Sequence, residues 1–328
     1  MTQAMTRAAA RIPLRSAVDR IGLHNLSLII ALVCLVAIFG SLRGDVFFSN
    51  RNLLNIGMGV AILGVLAISQ TAVIVSGGLD ISVGAIVGLT TVATGMAIEA
   101  SGVAGLGIAA GLGLGALAGL VNGALITYGR VNAIIATLGT MSIFRGVAFI
   151  LSDGQSVSIF DDTFRWIGVG RVFGLPVPIW ILLAVAVGFW VFLHRSVVGR
   201  NLYAIGGNPV VARLSGMNLN RYRVGMYVLS GVMAGIGGIL LAARTGSGQP
   251  VSGSEGLELE AITAAFLGGC AMQGGKGTVV GALLAVTIIG VLNNGMILTA
   301  VPTFYQMLAK GTLLILAVLI AEYRLNRS

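Results

Sequence analysis

Apolar residues fill this chain in long blocks separated by short polar breaks. Ten such runs can be placed, at 23–42, 54–76, 83–98, 103–128, 133–151, 178–193, 224–243, 259–271, 279–298 and 305–321. A helix crossing lipid needs ~20 mostly apolar residues. The pattern therefore predicts an all-α polytopic membrane protein of about ten helices. The eighth run is short and interrupted by Gly268 and Gly269, so it reads either as a span or as a re-entrant segment. No second, soluble domain is visible. Residues 1–328 read as one transmembrane domain with an N-terminal arm, 1–22, and a polar loop at 195–223.

Composition closes off the soluble classes. Of 328 residues, 56% are hydrophobic and 9% charged, against about 25% charged in ordinary soluble domains. Mean hydropathy is +0.98. The net charge of +9 follows topology rather than nucleic acid. With ten spans and a cytoplasmic N-terminus, Arg7, Arg11, Arg15, Arg20, Arg130, Arg195, Arg200, Arg213, Arg221, Arg223, Lys276, Arg324 and Arg327 fall inside. Only Arg43, Arg51, Arg165, Arg171 and Arg244 fall outside, while Arg145 and Lys310 lie within spans. Dropping the eighth span would move Arg324 and Arg327 outside, against the positive-inside bias. Both termini are thus expected on the cytoplasmic side. The first apolar run is long for a signal peptide and no A-x-A site follows it, so it reads as an uncleaved span.

The loop between the sixth and seventh runs carries helix punctuation. Asn208 suits an N-cap and Pro209 a first turn. Val210, Val211, Ala212, Arg213 and Leu214 make a turn or two, and Gly216 can stop it in the left-handed region. A capped helix outside the lipid with apolar residues and an arginine needs a docking partner. In a transporter that partner is naturally a motor subunit. The longest external segment, 152–177, reads as a lid, a docking surface or an ordered connector.

Glycine and buried polar residues supply the remaining candidates. Gly107, Gly111, Gly115, Gly119 and Gly123 recur every four residues, a face for close helix packing within one subunit or at a subunit or pore interface. Two Gly-rich polar elements stand at 76–84 and 268–277. In the first, Asp80 or Ser82 is expected to cap the next helix, with gating or solute contact as the other role for Asp80. The second contains Gly275-Lys276-Gly277 but lacks the spacing and the Ser/Thr of a phosphate loop, so it is not expected to bind ATP. Gln70, Asp80, Asn122, Asn293, Asn294 and Gln306 are solute-pathway candidates, or interhelical glue. Lys310 and Arg145 lie near outer span ends and can snorkel, and Lys310 can also pair with Glu258 or Glu260. Leu120-x-Asn122-Gly123-x3-Thr127 recurs as Leu292-x-Asn294-Gly295-x3-Thr299, a weak sign of duplication whose orientation the sequence leaves open. Cys34 and Cys270 lie far apart in apolar segments and suggest neither a disulfide framework nor a metal site. His24 and His194 are the two histidines, both near span ends, and no nucleophile–base or metal-ligand grouping accompanies them.

The runs GGLDISVG, GRNLYAIGGNPVVARLSGMN, LEAITAAFLGGCAMQGGKGTVVGALL and NNGMIL…FYQMLAKG resemble the permease family of ribose-type sugar ABC importers, over roughly 53–321. The resemblance implies a non-enzymatic transport subunit in a bacterial plasma membrane, acting as a homodimer. It also implies a cytoplasmic double-cassette ATPase that binds ATP and Mg, and an external solute-binding protein. No cofactor is expected in this chain. The resemblance further implies that 199–223 contacts the ATPase and that import proceeds by alternating access. A self-sufficient ion-coupled carrier or channel is the competing class. It would need intramembrane carboxylates, whereas nearly all eleven acidic residues stand at span ends or in loops.

Overall fold

The computed structural model describes residues 23–251 and 254–325. The N-terminal arm with Arg7, Arg11, Arg15 and Arg20, and Arg327 at the other end, lie outside the described residues. Thirteen α-helices carry the fold: α1 Leu23–Phe47, α2 Asn50–Val75, α3 Val83–Ser101, α4 Ala104–Thr127, α5 Ala133–Ser152, α6 Asp162–Val169, α7 Val177–Arg195, α8 Val197–Gly207, α9 Pro209–Leu214, α10 Leu219–Thr245, α11 Leu257–Leu267, α12 Val279–Leu298 and α13 Thr303–Leu325. Among the described residues, nine are long and apolar enough to cross a membrane; α6, α8, α9 and α11 are the exceptions. Helices α2, α3 and α10 form the buried centre, while α1 and α13 lie at the periphery.

The eighth apolar run is a broken crossing rather than a full helix. Helix α11 has only 11 residues, bounded by Gly256 in the left-handed region and by Gly268. At 1.5 Å per residue it covers roughly half a bilayer. The described residues before it, 247–251 and 254–256, lie alongside α3. Strand β4, Ser247–Gly248, pairs antiparallel with β1, Val157–Ser158, at the outer rim of α3. From there the chain descends along α3: Gly248 lies against Thr91, the Pro250 carbonyl against Gly88, and Ser254 and Glu258 against Gly84. Small residues at 84 and 88 are what let a backbone run this close. Thr91 satisfies the exposed backbone on the way, its Oγ accepting from Gln249 N–H at 3.0 Å and lying 2.7 Å from the Gln249 carbonyl.

With this broken segment, the described chain makes ten crossings and brings both of its ends to one side. The His24 side chain at the start of α1 packs beside Gly269, and Glu322 near the end of α13 faces Gln273. Both contacts lie at the end of the bundle that carries α9.

Helix direction settles how the duplicated motif is oriented. Helix α4 runs toward the α9 end, where Gly123 packs on Val224 at the start of α10; α12 runs away from it, and its Gly295 packs on Phe39 near the far end of α1. The offset of 172 residues also superimposes α2 on α10, α3 on the α11 region and α5 on α13, each pair antiparallel. The two halves are an inverted repeat, as in many transporter folds.

The α4 glycine stripe packs inside the subunit. A Cβ at Gly115 would strike the Gly231 carbonyl of α10, and one at Gly119 the Tyr227 carbonyl; Gly231 in turn lies on Gly115. Gly111 meets Thr94 and Ile239, and Gly107 meets Ile98 and Thr94. The 152–177 segment is an ordered cap on the far end, with Phe164 fully buried, Gly168 against the Ala243 backbone, and a hairpin of β2 Arg171–Val172 with β3 Leu175–Pro176.

Two backbones in contact leave no room for a side chain. Gly115→Leu is therefore expected to cost about 3 kcal/mol or more and to collapse the yield of folded protein in detergent. Gly113→Leu is expected to be neutral, because nothing lies within 4 Å of a Cβ there. Equal yields and equal melting temperatures would show that the stripe is not a packing face.

Candidate functional site

Helix α9 stands clear of the bundle. Asn208 caps it, its Oδ1 accepting from Val210 N–H and Val211 N–H at 3.1 Å each, and Gly216 turns the chain away at φ 82°. Only Ala212 faces inward, against Ile205 and Leu219. Val210, Val211 and Leu214 point outward at 66%, 55% and 84% exposure, with Arg213 exposed beside them. Three bare aliphatic side chains on a single short helix are costly in water. Pro209, Val210, Val211 and Leu214 thus form the outward edge that the sequence pointed to. What the sequence did not reveal is the 11-residue α8 that carries this edge. Its signals were Ser196, which caps it by accepting from Gly199 N–H at 2.9 Å, and the buried pair Leu202 and Ile205.

Behind α9 three glycine-lined backbones meet. The end of α8 supplies Gly206, the turn after α2 supplies Gly77, and the loop after α11 supplies Gly274 and Gly275. A Cβ on Gly274 would come 3.0 Å from both Gly206 Cα and Gly77 Cα, and one on Gly206 would strike the Val75 carbonyl. Gly275 N–H donates to that same carbonyl at 2.9 Å. Tyr203 Oη donates to Gly277 O at 2.8 Å, and burial raises the Tyr203 phenol above its ordinary value, which keeps it a donor. Thus both Gly-rich elements of the sequence touch the helix that leads into α9. Helix α8 is thus in direct contact with the turns that precede α3 and α12.

Three pathway candidates come together just inside this junction. Gln70, Asp80 and Asn122 are each fully buried. Gln70 Nε2 donates to Asp80 O at 2.6 Å. The Asp80 carboxyl accepts from Ser82 N–H at 3.0 Å, Ser82 Oγ at 2.7 Å and Ser230 Oγ at 2.8 Å. Asn122 Nδ2 donates to Ser82 Oγ at 2.7 Å and its Oδ1 accepts from Thr140 at 2.6 Å. Tyr227 Oη closes the cluster by donating to Leu79 O at 3.1 Å. Ser82 makes no side-chain capping bond at the start of α3, but Asp80 Oδ1 accepts from the Ser82 N–H two residues on, as a capping side chain does. The other carboxyl oxygen, Oδ2, accepts from Ser230 of α10, so Asp80 serves the start of α3 and ties it to a second central helix.

The other candidates lie apart, toward the far end. Asn294 and Asn52 exchange amide hydrogen bonds at 2.8 and 3.0 Å, joining α12 to α2. Asn293 Nδ2 donates to Glu260 at 3.2 Å. Gln306 Nε2 donates to the Val301 carbonyl at 2.8 Å, at the start of α13. Lys310 pairs with Glu260 at 2.7 Å, and Arg145 lies 3.6 Å from Glu258. Both membrane cations therefore reach α11 carboxylates, and Arg145 does not snorkel. Among the described residues no group of three or more His, Cys, Asp or Glu is placed to hold a metal ion.

Comparison with known proteins adds a family. The family described as branched-chain amino acid transport system / permease component matches residues 52–318. The chain is 40% identical to the ribose import permease protein RbsC of Escherichia coli K12 over 296 residues, 89% of this chain and 92% of that one. It is 40% identical to RbsC of Bacillus subtilis 168 over 288 residues, 87% and 89% of the two chains. It is also 40% identical to the L-arabinose ABC transporter permease protein AraH of Azospirillum brasilense over 281 residues, 86% and 83%. No solved structure matches.

If the Asp80 cluster is a structural tie, Asp80→Ala is expected to destabilise the protein by about 3 kcal/mol, because Ser82 N–H and the Ser230 hydroxyl lose their acceptor in a dry site. Asp80→Asn, which keeps one acceptor oxygen, is expected to lose less. Thermal unfolding in detergent measures both. Unchanged melting with altered solute uptake would make Asp80 a solute contact instead.

Proposed function

The chain belongs to the family of permease components described for branched-chain amino acid transport systems, and on that premise we propose that it is the membrane subunit of an ABC importer for a sugar, powered by a separate ATPase. It is a multi-pass membrane protein and, like its relatives, a transport subunit rather than an enzyme. The two pentoses in the relatives' names, ribose and arabinose, favour a neutral aldopentose as solute.

The observation that carries the reading is the outward edge of α9. Its three exposed aliphatic side chains suit a groove on a soluble partner, and the glycine junction behind it gives a contact route into both halves of the repeat. In this reading α9 and both chain termini are cytoplasmic, in accord with the arginine distribution. ATP and Mg are held by the partner ATPase. Its closure pushes α9 and α8, the junction shifts the turns at Gly77 and Gly275, and the two inverted halves exchange their open ends. A second copy of the chain completes the path. A loaded solute-binding protein docks on the far end, where Phe160 and Phe173 stand 97% and 93% exposed.

An ion-coupled carrier fits less well. Glu258 faces Arg145, Glu260 faces Lys310, and the Asp80 carboxyl already accepts three hydrogen bonds, whereas an ion-coupled site needs intramembrane carboxylates available to H⁺ or Na⁺.

Leu214→Asp and Arg213→Glu are expected to abolish ATP-driven uptake while the protein still inserts. Removing one partner of a buried charged contact at an interface costs about 2–5 kcal/mol, enough to lose the ATPase on co-purification. ATPase retention with continued uptake in either variant would place the motor contact elsewhere.

A further inference from the structure

Toward the far end of the bundle, α2, α10, α11 and α12 surround a cavity of about 590 Å³, within the ~300–1,000 Å³ typical of small-molecule sites. Its polar lining comes from Asn55, Arg244, Glu260 and Asn293, set against aliphatic side chains that include Ile56 and Leu257. The polar groups are only partly satisfied by one another. Asn293 Nδ2 donates to Glu260 at 3.2 Å, but its Oδ1 is buried with no donor. Arg244 is half-buried and has no ion-pair or hydrogen-bond partner among the described residues. Lys310 fixes the Glu260 carboxylate from the other side at 2.7 Å.

An amide oxygen buried without a donor is unfavourable unless something else supplies one, and the half-buried Arg244 guanidinium beside it has donors to offer. The missing partner must accept from Arg244, donate to Asn293 Oδ1 and Glu260, and present apolar surface to the aliphatic wall. A hydroxyl does both of the first two, and a sugar ring carries several hydroxyls over C–H faces. A carboxylate ligand would meet Glu260. We propose that this cavity is a binding subsite for a neutral monosaccharide, on the far side of the permease where the solute would enter. Arg244 donates to adjacent hydroxyls, Asn293 and Glu260 accept from others, and Asn55 stands exposed among the lining residues. The Asn52–Asn294 pair supports the wall without using its own amides on the ligand. This proposal rests on the transport reading above, but its test does not need the ATPase.

The test uses the full chain in vesicles with Cys34 and Cys270 replaced by Ala and Asn55→Cys as the reporter, labelled by a membrane-impermeant maleimide. Millimolar D-ribose or L-arabinose is expected to slow labelling, and Asn293→Ala or Arg244→Gln is expected to shift the protecting concentration upward about tenfold, the equivalent of one net hydrogen bond. Labelling unaffected by aldopentoses, or slowed by D-ribonate alone, would overturn the proposal. In the assembled transporter, the single variants Asn293→Ala and Arg244→Lys are expected to lower uptake with ATPase co-purification unchanged. Wild-type uptake by both would overturn it, even where the α9 variants had already confirmed coupling.

Discussion

Inside lipid there is no water to satisfy a bare peptide group, so each freed N–H or C=O must find a partner within the protein. Nine helices meet this condition through their own ladders. The places where the helices break show how the rest is arranged. At the turn after α2, Gln70 and Tyr227 take up the Asp80 and Leu79 carbonyls. Ahead of α11, where the chain passes along α3, Thr91 meets Gln249. At the glycine junction, Gly275 N–H completes the Val75 carbonyl. Irregular backbone thus finds its partners on neighbouring elements, around α2, α3 and α10, the most deeply buried spans among the described residues.

Close approach of backbones is the second organising element, and it serves two purposes. Between α4 and α10 it packs two straight helices tightly, with Gly115 on Gly231. At Gly77, Gly206 and Gly274 it joins three turns that belong to different parts of the repeat. No side chain stands between the backbones at this junction. That ties a surface helix, α9, to the starts of α3 and α12, which is what a permease driven from outside itself requires.

Much of this was legible from the sequence, for physical reasons that can be named. The ~20-residue apolar period marked the long helices, and Asn208-Pro209 marked α9 because capping is local chemistry. The i, i+4 glycine stripe marked a packing face, though only the structure shows that α10 of the same subunit covers it. The broken crossing was harder. Thr91, Gly88 and Gly84, which receive Gly248, Pro250 and Ser254, are more than 150 positions away in sequence, so nothing local marked the contact. The same distance hid the Asp80–Ser230 bond, so only the local part of what Asp80 does, its bond to Ser82 N–H, was legible. Orientation of the repeat was invisible to letter matching and became plain once α4 and α12 were seen to run in opposite directions. Arg244 and Asn55 carried no signal, since an arginine or asparagine near a span end looks like an interface anchor.

The most direct measurement is uptake of a labelled aldopentose into vesicles that contain the purified chain, its double-cassette ATPase and the cognate solute-binding protein. The account predicts uptake that requires ATP on the α9 side and the binding protein on the other, and that is indifferent to proton or sodium gradients. Uptake driven by an ion gradient through the chain alone, with ATP and both partners absent, would contradict it.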